Sequence, residues 1–205
     1  MIANLTNEII TATHVYSITT DKDGNIIAGL WLSGLLVITA DGKVSIQNSS
    51  LFKENDRSVF RVVEKQNDDS WYATDKGLFV KKIKSATHTH SDFAFEYPLE
   101  HAGTAKTIVY DIVDGTNDTW LATNQGIFRH DRANKKFVKQ PLKLKSNVVL
   151  SLAELDGELW IATSNGLYIW DLITEELVTL NYVHGLNNTA FNLDAIYQNS
   201  DYRPF

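Results

Sequence analysis

The chain has 205 residues, 43% hydrophobic, 21% charged and 11% aromatic, with 19 Lys and Arg against 25 Asp and Glu, a formal charge of −6, three prolines and no cysteine. Such a composition belongs to a folded chain with a sizeable core and excludes long disorder, collagen and a disulfide scaffold; without cysteine, thiol catalysis and cysteine-built zinc sites are also excluded. The acidic balance argues against a nucleic-acid backbone as the main partner, because such proteins gather Lys and Arg on one face, and no basic stripe is expected here.

In chain order, the amino terminus MIANLTNEII shows no basic region followed by an apolar one, so no signal peptide is read. Residues 26–39 form the longest uncharged apolar stretch, 14 residues, short of the ~20 a membrane helix needs. It reads better as two strands around a glycine-containing loop. That loop belongs to the first of four segments that line up: residues 15–38, 59–80, 108–129 and 148–170. Trp71, Trp120 and Trp160 share one slot, with Ile27 in the first copy, at spacings of 44, 49 and 40 residues. Ala73-Thr74, Ala122-Thr123 and Ala162-Thr163 follow the tryptophans, and every copy then reaches a glycine, Gly34, Gly77, Gly126 or Gly166.

Each copy predicts strands. An alternating run leads into an acidic or glycine-bearing turn (DKDGN, QNDD, GTND, ELDGE), which is hairpin chemistry. A second strand carries the tryptophan, a short loop ends at the glycine, and third and fourth strands follow. Pro98, Pro141 and Pro204 fall outside the first three strands of every copy, as ladder hydrogen bonding requires. Four short antiparallel strands per ~40–50-residue repeat make a β-propeller blade. The expected fold is therefore all-β, a β-propeller of about four four-stranded blades near residues 14–55, 56–100, 101–145 and 146–183, with residues 184–205 opening the next blade. The tryptophans and the alanines after them are expected between neighbouring blades.

These repeats resemble the two-component regulator propeller family, found in periplasmic ligand-binding sensor regions of bacterial histidine kinases, hybrid kinases and diguanylate cyclases. The family repeat has the form D-x-x-G-x-[LI]-W-[IL]-G-T-x-x-G-[LI]. DGELWIATSNGL, from Asp156, matches it at nearly every position, with Ala162 where the family usually has Gly. Trp31, in a loop one residue longer before Gly34, resembles the GTWGGGL variant, and residues 184–192 (HGLNNTAFN) are similar to the segment that opens a blade. The turns of the second and third copies depart from the D-x-x-G form. The resemblance implies seven-bladed propellers followed by further domains, a membrane helix and a cytoplasmic output module. Four blades cannot close a seven-bladed ring, and open strand edges are avoided. The chain is thus expected to be a piece of a larger periplasmic sensor, or to complete a ring with a second copy.

In a propeller the turn between strands two and three and the connection to the next blade share the usual ligand face. The residues expected there are His14, Trp31, Arg57, Asp75, Lys76, Asn124, Gln125, Asn147, Ser164 and Asn165, with Trp31, His14, Arg57, Lys76, Gln125, Asn147 and Asn165 as the binding set. Aromatic and amide groups around a funnel suit a polar small molecule or an oligosaccharide; solvated turn residues are the alternative. Asp21-Lys22-Asp23-Gly24-Asn25 starts like a calcium loop but lacks the later bidentate Glu, so a hairpin turn is the expectation. His88 and His90, with Asp92 and His101, would place two imidazoles on one side of a strand, without a third ligand fixed by spacing. No metal or cofactor is expected. Gly-x-Ser-x-Gly, His-Glu-x-x-His and phosphate-binding glycine loops are all missing. The leading reading is a non-catalytic ligand-binding sensor. A protein-interaction scaffold comes second and a propeller enzyme resembling streptogramin lyase third.

Overall fold

The computed structural model describes residues 14–47, 52, 57–65, 69–81, 95–97, 99–100, 106–187, 190–193 and 195–196. Strands dominate. The first sheet runs β1 (Val15–Thr20), β2 (Ile26–Leu30), β3 (Gly34–Ile38), β4 (Val44–Gln47). The second runs β5 (Val59–Glu64), β6 (Ser70–Thr74), β7 (Gly77–Lys81), β8 (Phe95–Glu96). After the two-residue strand β9 (Leu99–Glu100), the third sheet follows as β10 (Val109–Asp114), β11 (Thr119–Thr123), β12 (Gly126–Asp131), β13 (Lys136–Lys139). The fourth is β14 (Val149–Leu155), β15 (Glu158–Thr163), β16 (Gly166–Asp171), β17 (Leu177–Leu180), and a 3-10 turn, Tyr182–His184, comes after it. Consecutive strands pair antiparallel within each sheet, which is the up-and-down order of a propeller blade. β9 adds a fifth, parallel strand to the third sheet, with Phe137 opposite Leu99 and Val138 opposite Glu100.

The chain divides into two compact units, Met1–Tyr97 and Pro98–Phe205. In the first unit, Ile27, Leu35 and Val37 pack against Val62, Tyr72, Phe79 and Phe52. In the second, Trp120, Ala122 and Ile127 of one blade pack against Val149, Leu152, Leu159, Ile161, Tyr168 and Trp170 of the next. The Trp120 and Trp170 rings meet edge to face, 5.6 Å apart. Period-two alternation explains this, since Trp120 and Ala122 point one way while residues such as Ile161 point the other. The expectation that tryptophan and alanine lie between blades holds at this junction.

Each inner strand carries the same irregularity. The register slips by one residue at Tyr16, Phe60, Tyr110 and Leu150, between pairs such as Val15 with Leu30 and Ser17 with Gly29. A bulge bends the strand and frees one backbone group from the ladder. Asp111 ties the inner strand of its blade to that of the next. Its Oδ2 accepts from the Leu152 amide of the next blade at 3.0 Å and from the Ser151 hydroxyl at 3.2 Å, while its Oδ1 accepts from its own neighbour Ile112 at 2.8 Å. The Ile196 amide donates in the same manner to Ser151 Oγ, at 3.4 Å.

Candidate ligand face

One end of each blade holds the turn between its second and third strands, and that turn is built the same way three times. Thr74, Thr123 and Thr163 are fully buried. Their hydroxyls donate to the carbonyls of Gly77, Gly126 and Gly166 at 2.7, 2.7 and 2.9 Å, and accept from the amides of Lys76, Gln125 and Asn165 at 3.1, 3.0 and 3.1 Å. Each glycine sits at a positive φ, between 110° and 133°, where a side chain would be strained. The repeated Thr-x-x-Gly is therefore a hydrogen-bonded turn, whose two middle residues are exposed in the fourth blade and half-buried in the second and third.

A second device ties each turn to the start of its inner strand. The amides of Trp31, Asp75, Asn124 and Ser164 donate to the carbonyls of His14, Ser58, Ile108 and Val148 at 2.9, 3.2, 3.1 and 3.0 Å. Asp75 Oδ1 and Asn124 Oδ1 return the bond by accepting from the Ser58 and Ile108 amides. Ser164 instead meets the Ser146 hydroxyl at 2.7 Å.

In the first unit this brings His14, Trp31, Arg57 and Asp75 into one hydrogen-bonded series. The first blade has no threonine at the turn. Its longer loop is held by the second blade, where Ser58 Oγ accepts from the Leu32 amide at 3.1 Å and the Arg57 carbonyl accepts from Gly34 at 2.8 Å. Leu32 takes a left-handed φ of 52°. Trp31, Leu32 and Val15 stay 42%, 45% and 51% exposed. The Trp31 ring lies 5.8 Å from Tyr16, which in turn meets Phe60 edge-on at 5.1 Å. Burial pushes the Tyr16 hydroxyl above its ordinary pKa. Tyr16 and Leu32 were not among the expected site residues, although the bulge that places Tyr16 repeats in every blade.

Arg57 behaves differently from a displayed turn residue. It is only 4% exposed, and its guanidinium lies 4.0 Å from the Phe79 ring centre and 5.2 Å from that of Phe52, inside the blade pair. Lys76 and Asp75 are half-buried. In the second unit Gln125 spends its side-chain amide on the Thr107 hydroxyl at 3.0 Å, and Asn124 reaches the Lys106 carbonyl at 3.3 Å. Asn147, Ser164 and Asn165 are exposed.

The Asp21 turn is a hairpin turn. Asp21 Oδ1 accepts from the amides of Asp23 and Asn25 at 3.0 and 2.9 Å, and Oδ2 accepts from the Asn25 side chain at 2.8 Å, so both carboxylate oxygens serve the turn. His88, His90, Asp92 and His101 lie outside the described residues. Among the described residues no cluster of His, Asp and Glu could hold a metal ion, and no helix is long and apolar enough to cross a membrane.

A concave groove of about 430 Å³ lies along the third blade, lined by Asp118, Arg129, His130, Asp131, Arg132, Val138 and Gln140. Its charges largely answer one another. Arg129 pairs with Asp118 at 2.9 Å, and the Asp131 carboxyl is held below its ordinary pKa by the Asn134 side-chain amide and backbone amide. The sequence expectation of no basic stripe needs correction along this stretch. Residues 129–145 hold seven of the 19 Lys and Arg and a single acid, Asp131. A chain-wide net charge averages such a local excess away.

No family model matches the chain, and no curated protein matches it. Solved structures do. The extracellular domain of BT4673 from B. thetaiotaomicron, described in one structure as a one-component system and in another as a hybrid two-component system, superposes with a TM-score of 0.70 at 20% identity over 92% of this chain and 25% of that one. The extracellular domain of BT3049, described as a hybrid two-component system of the same organism, gives 0.56 at 15% identity over 91% of this chain and 31% of that one. Virginiamycin B lyase from Staphylococcus aureus gives 0.59 at 16% identity over 81% of this chain and 55% of that one. The chain thus spans about a quarter of the length of the BT4673 domain. The structures it is similar to include extracellular domains of the kind of sensor that the repeats resemble. At these identities what the likeness establishes is the fold: the chain is all-β and built of propeller blades.

Proposed function

We propose that the chain is a ligand-binding part of an extracytoplasmic, membrane-anchored sensor of a bacterial signal-transduction protein, and that it is non-catalytic. The observation that carries this is the amide-to-carbonyl tie at one end of every blade, to which three blades add the threonine clamp. It fixes the turns and leaves side chains exposed beside them, Trp31 in the first unit and Asn147, Ser164 and Asn165 in the second, as recognition surfaces on a scaffold require. The likeness to extracellular domains described as two-component systems supports the same reading. The ligand is a polar small molecule or oligosaccharide: in the first unit Trp31 offers an exposed ring for stacking, and in the second Asn147 and Asn165 offer exposed amides for hydrogen bonds. Further propeller blades or a second copy of the chain are the protein partners, and occupancy changes blade packing to bias a membrane-spanning output.

A thermal-shift screen of the full chain against polar small molecules and oligosaccharides, with product detection by mass spectrometry, tests the proposal. Stabilisation without turnover is the expected result. Turnover of a stabilising compound would overturn it in favour of a lyase, the reading that the likeness to virginiamycin B lyase favours. The exposed apolar group Val15, Trp31 and Leu32 favours a protein-docking scaffold instead. That reading gains if no small molecule stabilises the chain and Trp31→Ala abolishes capture of a protein partner.

A further inference from the structure

The second unit separates its charges by end. At the end of the clamped turns, the described turns and connections are residues 106–108, 124–125, 140–148, 164–165 and 181–187, and their sequence contains no Asp or Glu. The same end carries Lys106, Lys143 and Lys145, together with Lys139, the last residue of β13. The Lys139 Cε lies 3.5 Å from where a Cβ on Gly126 would stand, so this side chain rests against the clamped turn of its own blade. The Lys145 amide donates to the Tyr168 hydroxyl at 2.9 Å, which fixes the connection that carries it. All four lysines are exposed, and among the described residues none is paired with a carboxylate. Two strand acids stand near this end: Asp111 of the inner strand, 2% exposed and spent on the bonds described above, and Glu100, the last residue of β9, opposite Val138.

At the hairpin end the balance reverses. Asp114, Asp118, Asp131, Asp156, Glu158, Asp171, Glu175 and Glu176 belong to the hairpins or the strand ends beside them. The basic residues there sit among these acids, as Arg129 with Asp118 shows. Because each hairpin reverses direction, the topology sends the acids of the turns to one end and the four lysines to the other. Unscreened like charges at one end repel each other and attract a counter-charge, most strongly at low ionic strength.

We infer that the ligand bound at the clamped-turn end of the second unit is an anion, a small molecule or oligosaccharide bearing carboxylate, sulfate or phosphate groups that Lys106, Lys139, Lys143 and Lys145 neutralise. This rests on the reading of that end as the ligand face and adds the charge of the ligand to it. Ammonium groups act here as point charges, while the amides of Asn147 and Asn165 supply directional hydrogen bonds.

The test is titration calorimetry of the full chain, at low and at physiological salt, with four probes: an oligogalacturonate, sucrose octasulfate, a neutral oligosaccharide of the same length as the first, and a single-stranded DNA oligonucleotide. The expected result is binding of the oligogalacturonate or the octasulfate, the one that binds telling carboxylate from sulfate chemistry. Salt should weaken it, and Lys139→Gln/Lys143→Gln/Lys145→Gln should lower affinity about tenfold or more while the melting temperature stays put. Arg132→Gln/Lys135→Gln, at the hairpin end, should leave affinity unchanged. Equal loss from both variants, or binding of DNA as tight as that of the sugars, would mean unspecific attraction of polyanions and overturn the inference. Failure of both acidic sugars to bind would overturn it as well. If the neutral oligosaccharide alone bound, the anion inference would fall while the sensor reading stood.

Discussion

At the junction of the first two blades, a Cβ on Gly29 would come within 2.5 Å of the Val59 carbonyl oxygen and 2.8 Å of Ser17 Oγ. At the equivalent place in the second unit stands Ala122, fully buried. Two carboxylates bind that second junction. Asp111 holds Ser151 and the Leu152 amide, and Glu154 reaches back to accept from the Trp120 indole and the Thr116 amide, both at 2.8 Å. The first unit has a glutamate at the position of Glu154, but Ile27 replaces the tryptophan it would meet, and Glu64 accepts from Ser70 within its own hairpin at 2.9 Å. In place of Asp111 it has Ser17, whose hydroxyl is buried and makes no hydrogen bond. One repeat thus gives a close, glycine-dependent junction and a wider, carboxylate-clasped one. What decides between them is whether one blade supplies a carboxylate and the other a donor that meets it.

Gly29→Ala should do the most to break this contrast. With a backbone carbonyl in the way, the junction must open, and urea unfolding should show a loss of about 2–3 kcal/mol. Next comes Glu154→Ala, which strands a buried indole and an amide. A loss of about 2 kcal/mol is expected, with a change in tryptophan fluorescence. Gly115→Ala sharpens the point, because its Cβ would stand 1.9 Å from Glu154 Oε2; it should cost less in the Glu154→Ala background than alone, a non-additivity that a double-mutant cycle measures.

The serine pair separates the junctions most cleanly. Ser151→Ala removes a hydroxyl that bridges Asp111 and the Ile196 amide and should cost about 1 kcal/mol. Ser17→Ala removes one without a partner and should change stability by less than about 0.5 kcal/mol or raise it. Equal costs in thermal melts would sink the comparison. The smallest expected effect is on pH dependence. Hydrogen bonds from the Thr174 and Ile173 amides hold the Asp171 carboxyl below its ordinary pKa. Its contribution is therefore present above the ordinary carboxylate pKa and is lost as pH falls through the lowered value. An Asp171→Asn variant should show a shallower loss of stability on acidification, read by thermal melts across the acid range.

Much of this architecture was legible from spacing. The Trp-x-Ala-Thr-x-x-Gly signal marks the second strand, the clamped turn and the third strand together, because buried tryptophan, buried threonine and left-handed glycine each have one place in the blade. Even the longer first loop at Trp31 showed, as one residue too many before Gly34. The bulges were not legible, since Tyr16, Phe60, Tyr110 and Leu150 look like ordinary strand residues until the register is known. Arg57 is a related case: its position in a connection suggests display, while the aromatic rings of Phe52 and Phe79 provide a buried place for its guanidinium. The lysines of residues 139–145 stand plainly in the sequence, but their meaning depends on which end of a blade they occupy.

The sequence by itself determined the repeat, and with it the blade, the hairpins and the turns, because these depend on neighbours within about 20 residues and on period-two alternation. Tertiary structure decided how one blade is held to the next. The bond from Trp120 to Glu154 and that from Leu152 to Asp111 span 34 and 41 residues. A carboxylate becomes a clasp only where another blade presents a buried donor, and no local pattern encodes that meeting. The separation of the four lysines from the acids of the turns in the second unit lies between the two, since the hairpins sort residues that are close in the chain onto opposite ends of a blade, while only the stacking of blades gathers the lysines of several connections at one end.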